Sequence, residues 1–396
     1  MASDARAKPL LITREDELSR AADRLGQSPR IAFDLESNGM HAYRATACII
    51  QLGCDDEVII IDALATSLKP LGELLSSPDT EKIVHDVSFD ARILAESGVH
   101  LANVRDTSIA ARMLTRPATG LAALLHGELG VHIDKKMQQH DWSERPLTTA
   151  MLTYLSGDVV SLSELADRLW AEVNERGIGP EIEEETRYRL GQAIASAGAE
   201  DPRPAYVRLK GIDKVPAIER PILRHLANIR EQLSRELNVP PYKVIGPDVL
   251  FEIAKHKPET LDDLAKIRGA MGGRRARSIA NELLDAVSAG LEDETVPEED
   301  LVWFEKPRIP GGVLRARRAR EQRLSKWRKE EAKKRSVDEQ AVLPGHCLQD
   351  LADIEDPSIE AVARVPGIGA FRVERDGTAL VAALHAPVTA AVEGAS

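Results

Sequence analysis

Five side chains, distant from one another in the chain, have types and local spacings that would suit metal-ion chemistry if they met. Asp34 and Glu36 close an apolar run, residues 30–36 (RIAFDLE). Alternation along a strand sets both on one face. Two carboxylates so close repel unless a cation lies between them. Alone, the pair is better explained as a solvated strand end. Asp90 follows a strand-like stretch, residues 82–85, and lies in a helical pattern over residues 89–97 whose apolar face is Phe89, Ile93 and Leu94. Alone, it reads best as an acid attracted to a helix start. Tyr154 and Asp158 stand four apart in a helical run, which stacks them on one face. Their bland reading is a half-buried phenol and a surface acid. Gly157, between them, weakens that helix relative to alanine and would let a neighbour approach closely. Hard oxygen ligands of this kind suit Mg2+ or Mn2+ better than zinc.

The elements that must position these residues fall into two halves. Three apolar runs in succession, residues 30–36, 47–53 and 57–62, predict a meander of neighbouring strands with a turn at residues 54–56. Short strands follow at 82–85 and 103–105, and helices over 108–114, 121–129 and 148–175. This order predicts an α/β domain ending near residue 175. Beyond it the pattern is helical: residues 181–196, then a long amphipathic run, 217–237, stopped by Pro240-Pro241. Shorter helices follow over 247–254, 260–266 and 274–289, and an acidic linker over 292–310. Residues 313–335 form a basic helix, with about eleven Lys and Arg against three acids from residue 315 onward. That density would neutralise several phosphates; a solvated charged helix is the alternative. Residues 345–384 repeat the preceding helical pattern, down to a glycine junction, Pro366-Gly367-Ile368-Gly369.

The 396 residues carry a formal net charge of −12. An acidic total does not exclude a nucleic-acid partner, because it hides basic patches. Aromatic residues make up only 4%, so the cores must be built from Leu, Ile, Val and Ala. Cys48, Cys54 and Cys347 match no zinc spacing and are odd in number, which argues for a reducing, cytoplasmic setting. No signal-peptide core opens the sequence, and no apolar stretch approaches the roughly 20 residues that span a bilayer.

Asp-x-Glu on a first strand, Asp at a strand-to-helix turn and Tyr-x-x-x-Asp on a late helix, in that order, resemble the DEDDy exonuclease family. The flanking residues sharpen the likeness to ribonuclease D. Phe33-Asp34-Leu35-Glu36 is followed by Ile50-Gln51-Leu52; Val104-Arg105-Asp106-Thr107 leads into a helix; Asp141-Trp142 precedes Arg145-Pro146-Leu147. This likeness covers residues 10–175. Residues 215–290 resemble an HRDC domain, through a long first helix, the tract 238–245 (NVPPYKVI), and short helices before a glycine turn. The resemblance implies a ribonuclease H-like mixed sheet over residues 1–180, an all-α HRDC domain over 215–292 and a second, degenerate one over 312–390.

It also implies a chemistry. Hydrolysing a phosphodiester requires delivering hydroxide to an anion and stabilising the departing oxygen, and two divalent ions do both. By resemblance, Asp34 bridges the two ions, Glu36 and Asp158 complete one site, Asp90 supports the second, and Tyr154 positions the attacking water. The substrate implied is RNA degraded from its 3′ end, tRNA precursors above all, by a monomer without a membrane partner. A DNA 3′→5′ exonuclease and an inactive RNA-binding scaffold are the alternatives. Gln51 is placed at the terminal nucleotide or in an edge hydrogen bond. Lys136, Arg145, Arg274, Arg318 and Arg328 are the candidates to meet phosphates, with solvent as the alternative for each.

Overall fold

The computed structural model describes residues 9–54, 57–305 and 309–385; residues 55–56 of the expected turn, three residues of the 292–310 linker and the tail beyond 385 lie outside these. Six strands form one mixed sheet: β1 (Leu10–Ile12), β2 (Arg30–Ser37), β3 (Ala47–Cys54), β4 (Glu57–Asp62), β5 (Glu81–Val84) and β6 (Val104–Asp106), in the order β1-β4-β3-β2-β5-β6. The expected β2-β3-β4 neighbours are indeed adjacent. β3 and β4 pair antiparallel, whereas β1 joins β4, and β5 joins both β2 and β6, in parallel. β3 and β4 are buried along nearly their whole length, as unalternating apolar runs require when helices cover both faces. The short strand β1 and the helix Glu15–Leu25 were not foreseen; three residues are too few to carry a period.

The chain divides into two compact units. The first, Met1–Glu36, Ala47–Gly198 and Ile309–Ser396, holds the sheet, its helices and the last helical module. The helix expected over 148–175 is two helices, Thr149–Val160 and Leu162–Arg176, parted at buried Ser161 after two β-branched valines. Thr149–Val160 packs on β3 and β4, and the helix Gly179–Ser196 packs on the helix Val87–Glu96. Phe89 departs from its expected core position: it is 44% exposed, with Arg92 over its ring. The last module consists of the basic helix Gly311–Arg335, the short helices Glu339–Val342, Cys347–Asp353 and Ile359–Ala363, and the closing helix Ala370–His385.

The second unit, Ser37–Thr46 and Ala199–Arg308, is helical. Its core is the antiparallel-type contact of Arg220–Glu236 with Ala280–Glu292, where a Cβ on Gly290 would overlap the Ile222 backbone. Residues 274–289, expected as one helix, break at Ile279 into Arg274–Ser278 and Ala280–Glu292. The segment 37–46 lies against this bundle: Tyr43 bonds Glu231, and the Tyr242 hydroxyl donates to the Met40 carbonyl at 3.0 Å. Among the described residues no helix is long and apolar enough to cross a membrane.

Candidate active site

β2 delivers the first two acids. Asp34 and Glu36 share the strand face of Ala32, and that face looks toward the helix Thr149–Val160. The contact is close because Gly53 stands opposite on β3. A Cβ there would lie 3.1 Å from the Val159 carbonyl and 3.4 Å from the Ala32 Cβ. Absence of a side chain at Gly53 thus lets the helix settle on the sheet and carry Asp158 to the strand acids. Asp34, Glu36 and Asp158 each offer a carboxylate oxygen, and these lie within 4.8 Å of one another. Gly157, singled out from the sequence for close approach, has only an ordinary contact, Ile133 at 3.8 Å.

Asp90 comes from the opposite flank, on the first turn of the helix Val87–Glu96, and is 7% exposed. It stands outside the tight trio but near enough to feel Asp34 and Glu36. Tyr154, one turn before Asp158, packs at a tilt on fully buried Trp142, ring centroids 5.7 Å apart, and Trp142 makes an edge-on contact with His140 at 5.1 Å. All five residues singled out from the sequence are therefore brought to one place. Trp142 was read only as part of a motif, because burial against Tyr154 leaves no local mark in sequence.

Burial raises the Asp34 carboxyl to about 6, against a hydrogen bond from the Leu35 backbone. Burial, then Asp34 and Asp158, lift Glu36 to about 9, with the Trp142 indole acting the other way. Burial, then Asp34, lift Asp158 to about 7. Asp90 is raised too, by burial first and then by Asp34, Glu36, Asp86 and Asp106. The charges that act on Glu36, Asp90 and Asp158 are themselves carboxylates, so like charge is being concentrated in a desolvated place. Divalent cations fit this set: all donors are hard oxygens, and the favourable charge is what the side chains do not supply. Tyr154 is raised by burial and by Asp158, Glu36 and Asp34, so its hydroxyl keeps its proton.

Residues 9–174 match the model of a 3′-5′ exonuclease domain, and residues 219–287 and 317–384 each match the HRDC domain. A ribonuclease D of Jannaschia sp. (strain CCS1) is 33% identical over 316 residues, covering 77% of this chain and 78% of that protein. The chain belongs to the ribonuclease D family. Another member, from Nitrobacter hamburgensis, is 28% identical and covers 97% of both chains. The fold is shared with Escherichia coli RNase D, at a TM-score of 0.68 and 22% identity over 96% of this chain and 99% of that one. As a ribonuclease D the chain is a hydrolase, a 3′→5′ exoribonuclease whose exonuclease domain depends on divalent metal.

Two of the expected substrate contacts, Arg145 and Arg328, need correction against the structure. Arg145 spends its guanidinium inside the protein: on both Asp62 oxygens at 2.6 Å, and on the carbonyls of Trp142, Glu144 and Cys48. It ties the loop holding Trp142 to the end of β4. Arg328 is 7% exposed and donates to the Glu339 carbonyl at 2.9 Å within the last module. Gln51 is fully buried in β3, on the Gly53 side, and neither amide atom has a hydrogen-bond partner among the described residues. Lys136, Arg274 and Arg318 are exposed, Lys136 paired with Asp134 at 3.3 Å.

Proposed function

We propose that Asp34, Glu36, Asp90 and Asp158 hold two Mg2+ or Mn2+ ions and that the enzyme trims structured RNA, including tRNA precursors, from a free 3′ end. The observation that carries the reading is the half-buried trio Asp34, Glu36 and Asp158, with oxygens within 4.8 Å and carboxyls held above their ordinary range. When bound, the ions would lower the pKa of water and stabilise the leaving oxygen. The protein's own part is to hold the acids in register, to keep a protonated Tyr154 hydroxyl aimed at the cleft as a hydrogen-bond donor or acceptor for water, and to exclude bulk solvent. Arg274 and Arg318, exposed on the two helical modules, and Lys136, exposed within the nuclease domain, would meet the RNA backbone. The RNA substrate is supported by ribonuclease D relatives, and structured RNA by the likeness to an exoribonuclease involved in structured RNA processing. The three cysteines, none in a disulfide, suit a reducing cytoplasm. We also infer the division 1–180, 215–292 and 312–390, supported by the positions of the three domain matches.

The test uses end-labelled single-stranded and hairpin RNA, and matching DNA, with Mg2+, Mn2+ or EDTA. A ladder receding from the RNA 3′ end, lost in EDTA, is expected. A DNA ladder without an RNA ladder would replace the substrate, and binding without cleavage would replace the activity.

A further inference from the structure

Asp106 closes β6, is completely buried, and its carboxylate accepts four backbone N–H groups. Two come from its own helix, Thr107–Met113: Ser108 at 2.8 Å and Ile109 at 3.1 Å. The other two come from the turn into the helix Val87–Glu96: Asp86 at 3.2 Å and Val87 at 2.9 Å. A helix start leaves N–H groups without intrahelical acceptors. At Val87–Glu96 the preceding residue, Asp86, does not cap them: its side chain makes no cap hydrogen bond, and its φ is +67°. Aspartate is among the non-glycine residues that adopt this left-handed conformation most readily, but in it Asp86 leaves the helix start to other acceptors. The acceptor here is Asp106, and the Asp86 carboxylate turns instead toward Arg189, whose guanidinium lies 3.9 Å away. Next to Asp106, the Thr107 hydroxyl donates to the Val84 carbonyl at 2.9 Å and meets His85 Nδ1 at 2.9 Å. The end of β5 and the turn after it are therefore fastened to the end of β6, one helical turn before Asp90.

We propose that Asp106 is a positioning residue for Asp90: one carboxylate caps two helices at once and so sets where Asp90 stands relative to Asp34 and Glu36. Its charge does not help Asp90 ionise, since it is among the carboxylates that oppose it. What it supplies is geometry. The proposal rests on reading Asp90 as part of the metal site.

Asp106→Ser separates the two caps. Serine caps its own helix well, but its single, shorter arm does not span to Asp86 and Val87. In the full-length, metal-stripped protein, amide exchange at Asp86 and Val87 should quicken. Mn2+ binding, followed by the spectrum of the free ion, should weaken about 10-fold, as losing a ligand's support commonly does. The KM for a labelled oligoribonucleotide should stay within about twofold. Leu18→Ala, in the core of the helix Glu15–Leu25, provides a destabilised protein whose Mn2+ affinity should not move. Should the serine variant not fold, the near-isosteric Asp106→Asn should show the same direction of change. Unchanged Mn2+ affinity in a folded Asp106 variant, or an equal loss in Leu18→Ala, would overturn the proposal. Asp90→Asn in the same titration tells the two readings apart. If it also leaves Mn2+ binding intact, the site assignment fails; if it weakens binding while Asp106→Ser does not, only the positioning role fails.

Discussion

Two clusters of carboxylates lie in the first unit, and they are built on opposite plans. Asp34, Glu36, Asp90 and Asp158 face one another, and burial with mutual repulsion raises their carboxyls. Glu181, Glu184 and Glu185, on the helix Gly179–Ser196, are more deeply buried than Asp34, Glu36 and Asp158, yet each has its cation. Glu181 meets Arg335 and Arg375; Glu184 meets Arg372 at 3.1 Å and the Phe371 N–H at 2.6 Å; Glu185 meets Arg189 at 2.9 Å and His346 at 3.2 Å. Burial pushes Glu185 up, but the bonds from His346 and Arg189 outweigh it and hold it at about 2. The comparison teaches where a protein commits its arginines. Fixed guanidinium partners join the last helical module to the helix Gly179–Ser196. They are withheld where, on our assignment, a divalent ion must enter and leave.

The contrast is most exposed to failure at the acids themselves. Asp34→Asn should lower kcat by at least about 10²-fold, the scale of losing a main source of transition-state charge stabilisation, while the metal-free protein melts no lower than wild type. An active Asp34→Asn, or one that melts well below wild type, would erase the distinction. At the other cluster, Arg372→Ala should cost about 3–5 kcal/mol in chemical denaturation, because it strands buried Glu184. If the cost is within about 0.5 kcal/mol, as for an ordinary surface change, the joint is not what holds the module. Gly53→Ala should reduce kcat about 10-fold or more by pushing the Asp158 helix off the sheet; an unaltered kcat would mean the helix has room to yield.

pH should separate the clusters by sign. Carboxyls raised in the folded state hold protons that the unfolded chain releases. Without metal, then, stability should fall as pH rises from the ordinary carboxylate range through about 9. Added Mn2+ should raise the melting temperature more at pH 8 than at pH 5. Glu185 works the other way: its contribution is complete above its ordinary 4.5 and is lost as pH falls toward about 2. Parallel melts across pH in EDTA and in Mn2+ would show whether the two slopes oppose. The smallest effect belongs to the exposed cations. Arg318→Ala and Arg274→Ala should each lower the slope of log K against log salt for RNA by about 1. Arg328→Ala, being internal, should change stability and leave that slope alone.

Much of this was legible because the chemistry constrains residue types. Acids two apart on a strand and four from a tyrosine on a helix mark themselves, and long apolar runs mark β3 and β4. Arg145 and Arg328 were misread because an arginine's sequence neighbours do not reveal whether a carboxylate or carbonyl waits across the fold. Phe89 was misplaced because a helical period does not say which side a short helix buries.

Sequence alone determined the identity and spacing of the five side chains that we assign to the active site, the strand-then-helix order, the basic helix and the glycine junction at residues 366–369. These are written in residue type and in spacings of two, three or four, which the backbone converts directly into faces. Tertiary structure alone decided that Gly53 admits the Asp158 helix, that Asp106 caps the helix bearing Asp90, and that Gly369 stands where a Cβ would overlap the Glu184 carboxylate. Each of these depends on groups between 19 and 185 positions apart meeting within a few ångströms, and such a distance leaves no period in the chain to read.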